Sequence, residues 1–145
     1  MGYKGRLRNS LVAEAQVTKI VAVVDDEREM EYIYSILMER QIKRGLINLN
    51  FFSDSREFAE WLKGNKPDLI LTDINMPYMD GPQVIDLVNK SGRSIPTYFV
   101  SGHNEFEFKN IMKELGVYRY LSKPLNFNNV LGLIELDLGI LSANL

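Results

Sequence analysis

From Lys19 onward, short apolar runs alternate with amphipathic stretches, and this alternation dominates the chain. Residues 20–24 (Ile-Val-Ala-Val-Val) form an unbroken aliphatic run, as a parallel strand covered on both faces requires. Glu27–Arg40 predicts a helix, with Met30, Ile33 and Leu37 at three- and four-residue spacing. Leu46–Phe52 predicts a second strand, and Phe58, Trp61 and Leu62 mark a short helix ended by Gly64 and Pro67. A third strand lies within Asp68–Asp73, followed by a helix carrying Val84, Leu87 and Val88 and closed by Gly92. Ile95–Val100 predicts the fourth strand, with Pro96 near its start, where proline is tolerated. Phe108, Ile111, Met112 and Leu115 give a fourth helix, with Asn104 and Glu107 as a capping pair. Val117–Leu121 predicts a fifth strand and Asn126–Leu141 a final helix.

The order is strand then helix, five times over. Such alternation implies an α/β fold: a doubly wound, five-stranded parallel sheet with helices on both faces and right-handed crossovers. Sheets of this kind bind ligands at the carboxyl ends of their strands, in the crevice where strand order reverses. Two segments fit less simply. In the last helix Ile134, Leu136, Leu138 and Ile140 alternate with Glu135, Asp137 and Gly139, a period that alone argues strand. As a helix its apolar residues cover more than half the circumference, which leaves a surface for a homodimer or another partner unless residues 1–18 cover it. Those first 18 residues are set apart as an N-terminal extension to a domain spanning 19–145. They carry Lys4, Arg6 and Arg8 and only a weak stripe of Leu11, Val12 and Ala15, consistent with either a tail or a docked helix that Ser10 would cap.

Composition narrows the class. The 145 residues are 46% hydrophobic and 25% charged, which is globular composition, and suffice for one core. A net charge of -2 gives no footprint for direct nucleic-acid binding. No apolar run approaches the roughly 18–20 residues of a membrane span. Residues 1–10 lack the pattern of a secretory signal, and Arg6 stands where a myristoylation site wants Ser or Thr. The chain has no cysteine, which excludes disulfides and thiol chemistry and fits a cytoplasmic address.

The chemistry gathers at the predicted strand ends: Asp25 and Asp26 after the first, Asp73 after the third, Ser101 after the fourth, and Lys123 followed by Pro124 after the fifth. Three carboxylates brought together raise one another's pKa values. A hard divalent cation with oxygen ligands resolves that conflict, and a lysine supplies a point charge for a phosphoryl oxygen.

At these positions the sequence resembles the response-regulator receiver family of two-component signalling, with its flavodoxin-like (βα)5 fold. The matching blocks are Val23-Val24-Asp25-Asp26-Glu27, Thr72-Asp73-Ile74-Asn75-Met76-Pro77 with Met79-Asp80-Gly81, Val100-Ser101-Gly102, and Tyr120-Leu121-Ser122-Lys123-Pro124. The resemblance runs from about Lys19 to the C-terminus. It implies that Asp73 accepts a phosphoryl group from a histidine kinase or a histidine phosphotransfer protein. It also implies that Asp26, Asp73 and the Asn75 carbonyl bind Mg²⁺ directly, Asp25 through water, with Mn²⁺ able to substitute. Lys123 would hold a phosphoryl oxygen. Ser101 would be the switch hydroxyl, Tyr120 the aromatic that follows it, and Lys123-Pro124 a cis peptide. Asn75 and His103, the chain's only histidine, would tune the lifetime of the aspartyl phosphate. The message would leave through the face built by the fourth helix, fifth strand and fifth helix, towards an output domain or a downstream protein. The resemblance implies no enzyme beyond catalysis of the chain's own phosphorylation and dephosphorylation.

Two other readings are set beside this one. A phosphatase of the haloacid-dehalogenase type needs a general acid two residues after its nucleophile, and Asn75 stands there. A pseudo-receiver would be a phosphorylation-independent interaction module, but such modules usually lack a site residue. The chain is expected to be either a stand-alone regulator or a piece of a longer protein.

Overall fold

The aliphatic run after Thr18 forms the inner strand β1 (Lys19–Val24), in a computed structural model that describes residues 17–102 and 109–140. β1 pairs in parallel with β2 (Ile47–Phe52) on one side and β3 (Leu69–Asp73) on the other. β4 (Thr97–Ser101) and β5 (Arg119–Ser122) extend the sheet beyond β3, again in parallel, to give the order β2-β1-β3-β4-β5. The five-stranded parallel architecture expected from the sequence is the one observed. Strand order reverses between β1 and β3, so a crevice opens above their carboxyl ends.

Among the described residues five helices connect the strands, α1 (Glu29–Leu37), α2 (Glu39–Lys43), α3 (Ser55–Gly64), α4 (Gly81–Lys90) and α5 (Lys109–Leu115), and α6 (Phe127–Leu138) follows β5. Successive strand residues point to opposite faces, and β1 divides its side chains accordingly. Val21 and Val23 pack with Met30, Tyr34 and Leu37 of α1 and Val130, Ile134 and Leu138 of α6. Ala22 and Val24 pack with Phe58 and Leu62 of α3 and Val84 and Val88 of α4. A third cluster of Ile74, Ile85 and Phe99 carries Met112 and Leu115 of α5. Leu69, Ile70 and Leu71 of β3 are fully buried, and each such side chain contributes about 1.5–3 kcal/mol.

Several boundaries differ from the sequence expectation: β5 spans Arg119–Ser122 rather than Val117–Leu121, and the last helix ends at Leu138 rather than Leu141. The first helix starts at Glu29 rather than Glu27, because the Glu27 amide donates to Asp25 Oδ1 at 2.9 Å. It also breaks at Met38, a fully buried residue whose φ of -104° and ψ of 12° separate α1 from α2. β4 begins at Thr97, not Ile95, and reaches Ser101; Pro96 still contributes its carbonyl to the Ile70 amide at 3.0 Å. Asn104, Glu107, Phe108 and Leu141 lie outside the described residues, as do residues 1–16.

The final segment is a helix. Asn126 caps it by accepting from the Asn129 amide, and Gly139 ends it with a φ of 66° that glycine adopts without steric cost. Its apolar excess is absorbed in part: Leu131, Leu133 and Ile140 rest half-buried on the core, while Leu136 remains 70% exposed. Asp137, read from the sequence as one of the polar alternations, points inward. Arg119 grips it through Nε–Oδ2 at 2.6 Å and Nη2–Oδ1 at 2.9 Å, and the Tyr98 hydroxyl donates to Oδ2 as well. The Arg119 guanidinium holds the Asp137 carboxyl below its ordinary range. This tie joins α6 to β4 and β5, and removing the carboxylate strands a partly buried guanidinium. Asp137→Ala is expected to cost about 2–3 kcal/mol and Tyr98→Phe about 1 kcal/mol. Urea unfolding followed by Trp61 fluorescence should show the lower midpoint with an unchanged slope.

Candidate functional site

Parallel pairing puts the carboxyl ends of β1, β3, β4 and β5 side by side, and four polar residues stand there. Asp25 follows β1 directly, Asp73 closes β3, Ser101 closes β4, and Lys123 follows β5. Asp25, Asp73 and Ser101 are buried, at 1%, 7% and 2% exposure, although all are polar. Carboxylate oxygens of Asp25, Asp26 and Asp73 lie within 4.8 Å of one another, and Asp26 is the exposed member at the mouth.

Lys123 sits among these acids. Its Nζ lies 2.9 Å from Asp25 Oδ2, 3.0 Å from Glu27 Oε1 and 3.2 Å from Asp73 Oδ2. The Lys123 amide donates to the Ser101 carbonyl at 2.9 Å, which ties the lysine's backbone to the end of β4. The Lys123–Pro124 peptide is cis, as the sequence resemblance implied. Asp73 Oδ1 accepts from the Ile74 amide at 2.7 Å.

Burial pushes the Asp25 carboxyl up to about 6, against the lowering pull of Lys123. For Lys123, burial pulls the ammonium down, but hydrogen bonds to Asp25 and Glu27 carry it well above its ordinary value. One cation therefore serves three carboxylates and does not fully satisfy them. Asp25 Oδ2 is buried and accepts no well-directed hydrogen bond; the ammonium approaches it off the favourable direction. An under-satisfied carboxylate oxygen in an all-oxygen cluster suits a hard divalent cation.

The other residues singled out in the sequence are placed unevenly. Asn75 is exposed, two residues beyond Asp73. Tyr120 is half-buried on β5 and packs on the cluster of Ile74, Ile85 and Phe99. His103 lies outside the described residues. Two further residues acquire a place that sequence reasoning did not assign. Glu27 pairs with Lys123 from the loop after β1. Gly81, the first residue of α4, donates its amide to the Ile74 carbonyl at 2.7 Å. A Cβ at Gly81 would lie 2.7 Å from the Asp73 carbonyl oxygen and 2.9 Å from Ile74 Cα. The sequence did carry a hint: Asp80-Gly81-Pro82 opens a helix through an Asp80–Gln83 capping box, where any residue could follow the cap but only glycine fits this approach.

The family model for the response regulator receiver domain matches residues 21–135. The chain belongs to this family. Among relatives, it is 28% identical over 115 residues to the DNA-binding transcriptional regulator NtrC of Proteus hauseri. That match takes in 79% of this chain and 24% of the relative, so the chain spans about a quarter of that protein's length. Among solved structures it resembles the signal receiver domain of an HD domain-containing protein from Pseudomonas fluorescens Pf-5, with a TM-score of 0.75 and 21% identity. That overlap covers 84% of this chain and 88% of the other. The chemotaxis protein CheY4 of Vibrio cholerae gives 0.74 and 22% identity, covering 83% and 98%. These structural likenesses concern the fold. Receiver domains accept phosphoryl groups as signalling modules and bind Mg²⁺ at an acidic pocket, and this chain carries an acidic cluster of Asp25, Asp26 and Asp73. Among the described residues no helix is long and apolar enough to cross a membrane.

The receiver-domain site gives two predictions. Gly81→Ala drives a methyl against backbone atoms of the acceptor strand's exit, so it should cost about 1–3 kcal/mol and slow phosphoryl incorporation. Denaturant unfolding and a phosphorylation time course would check both. The second concerns pH without Mg²⁺. Because the folded pKa of Asp25 is raised above its unfolded value, the folded state binds the extra proton between about 4 and 6. Stability should therefore fall as pH rises through that window, by on the order of 2 kcal/mol. Asp25→Asn should flatten the slope, measured by urea midpoints from pH 4 to 7.

Proposed function

We propose that this receiver domain takes a phosphoryl group onto the Asp73 carboxylate from a partner histidine kinase or histidine phosphotransfer protein, and that the modified site shifts the α5–β5–α6 face. The supporting observation is the convergence of Asp25 and Asp26 from the end of β1, and of Lys123 from beyond β5, on Asp73 at the end of β3. An Asp73 oxygen attacks phosphorus, the bond from phosphorus to the donor's imidazole nitrogen breaks, and an acyl phosphate forms. Lys123, already 3.2 Å from Asp73 Oδ2, keeps its proton and pairs with a phosphoryl oxygen instead. Asp26, Asp73 and the Asn75 carbonyl would hold Mg²⁺, Asp25 through water, and the ion would supply positive charge to offset that on the transferred oxygens. Asn75 and His103 set how fast water removes the group.

Phosphorylation adds roughly 1.5–2 negative charges and three acceptor oxygens beside the Ser101 hydroxyl. The hydroxyl turns to them, Tyr120 follows into the space it leaves, and the balance between existing conformers changes. The helices of that face are unequally anchored: α5 has no fully buried residue, whereas α6 buries Val130, Ile134 and Leu138. α5 is thus the element with least to lose by moving. The reader of the face is an output domain, a downstream protein or a second copy of the chain. Exposed Ile111, Tyr118 and Leu136 supply apolar contact.

With Mg²⁺ and acetyl phosphate, the protein should gain one phosphoryl group by intact mass, and Asp73→Asn should gain none. Lys123→Met should slow the gain about 10²-fold. A wild-type protein that neither gains mass nor changes its spectrum with beryllofluoride and Mg²⁺ would instead be a phosphorylation-independent interaction module.

A further inference from the structure

The segment leaving the acceptor strand makes an abrupt turn at an unusual residue. Tyr78 has a φ of 69°, the one positive value at a non-glycine position among the described residues. The Met79 amide donates to the Pro77 carbonyl at 2.8 Å across it. A three-residue turn closed this way, with its centre at positive φ, is rare and strained. Tyrosine gives no local reason to accept the strain, since its side chain, unlike that of Asn or Asp, is not a short polar group that bonds its own backbone. Nor does burial hold it there, because Tyr78 is 70% exposed.

What the ring does touch is Arg56. The guanidinium carbon lies 3.5 Å from the Tyr78 ring centroid, a face-on stack. Arg56 is itself held: Asp54 accepts from its Nε at 3.1 Å and its Nη2 at 2.8 Å, and the same carboxylate caps α3 by accepting from the Arg56 amide. Beside it the Ser55 hydroxyl reaches the Pro77 carbonyl at 3.4 Å. The amino end of α3 therefore braces the turn at two points. Between that turn and Asp73 lies Asn75. A cleft of about 300 Å³ separates the brace from Asp26, lined by Asp26, Arg28, Ser55, Met76, Pro77 and Tyr78 among others.

We propose that Arg56 and Tyr78 are positioning residues of the acceptor site: their stack keeps the strained turn after Asp73 closed, and so raises the affinity of the site for its divalent cation. The proposal rests on the reading above, in which the Asn75 carbonyl is a cation ligand. A backbone carbonyl can serve only while its peptide faces the ion. If the turn relaxes for part of the time, apparent affinity falls by the fraction of chains that remain competent. Neither side chain touches the cation, so the effect is one of population.

Calorimetric titration of Mg²⁺ into the unphosphorylated protein tests this without reference to phosphorylation. Tyr78→Phe keeps the ring and should bind as the wild type does. Arg56→Ala and Tyr78→Leu, which keep the strain but lose the stack, should each weaken Mg²⁺ binding about two- to fivefold. In a Tyr78→Gly background, where the turn is unstrained and the ring is gone, adding Arg56→Ala should change nothing further, which identifies the coupling as this pair's own. Thermal unfolding without Mg²⁺ would confirm that each variant is folded. Wild-type affinity in Arg56→Ala and Tyr78→Leu, with binding lost in Asp26→Asn, would overturn the stack's role alone. Absence of Mg²⁺ binding by the wild type would overturn the cation site and the stack together.

Discussion

Three carboxylates crowded at one edge of a sheet repel each other, and the fold tolerates them because a single ammonium arrives from the far side. Asp25 and Asp26 come from the end of β1 and Asp73 from the end of β3, while Lys123 comes from beyond β5, two strands away from Asp73. No local segment could make this arrangement. It depends on parallel pairing in the order β2-β1-β3-β4-β5, with the strand ends level enough for Lys123 Nζ to reach Asp25, Glu27 and Asp73 at once. The compensation is partial: burial, with a smaller push from Asp73, holds the Asp25 carboxyl well above its ordinary value despite Lys123. A site left short of positive charge suits a cation, and the proposed phosphoryl transfer would increase that need. The same deficit thus serves binding and switching.

Asp73, the proposed acceptor, is buried at 7% exposure on a strand whose other residues are fully enclosed, so it cannot adapt by moving its own backbone. Adjustment falls to the loops. That explains why close contacts gather where β3 ends: the Asp73 carbonyl against Gly81, the Gly81 amide on Ile74, and the Arg56 stack on Tyr78 a few residues on. A rigid strand supplies the nucleophile's position, and a braced loop supplies whatever must be aimed beside it. Rigid interiors transmit such constraints because they are close-packed.

Much of this was legible in the sequence, for a definable reason. Strand periodicity is local, and in a parallel sheet the carboxyl end of every strand lies on the same edge. Finding Asp25, Asp73, Ser101 and Lys123 just after apolar runs therefore located the crevice without coordinates. What stayed hidden depended on reach between segments. Glu27 looked like the start of a helix, yet its amide serves Asp25 and its carboxylate serves Lys123. Met38 looked like one more apolar residue in a helix, and its complete burial instead accompanies the break between α1 and α2. Asp137 fell in an alternating pattern that read as solvent-facing, whereas Arg119 and Tyr98 draw it inward. Tyr78 gave no sign at all, because a positive φ at tyrosine follows from its neighbours and not from its own preference.

The tie at Asp137 bears on how far a change at Asp73 can spread. Tyr98 lies three residues before Ser101 on β4, and Arg119 immediately precedes Tyr120 on β5, so each strand that carries a member of the proposed switch pair is anchored to α6. An ion pair with this many donors resists displacement, because separating it leaves a carboxylate at 3% exposure without its counter-charge. The amino ends of β4 and β5 are consequently anchored, with Ser101 at the free carboxyl end of β4 and Tyr120 next to the anchored Arg119 on β5. In the proposed switch, movement at the site would displace α5 against an anchored α6 rather than loosen the whole face. An unanchored β5 would dissipate the same stimulus across the sheet.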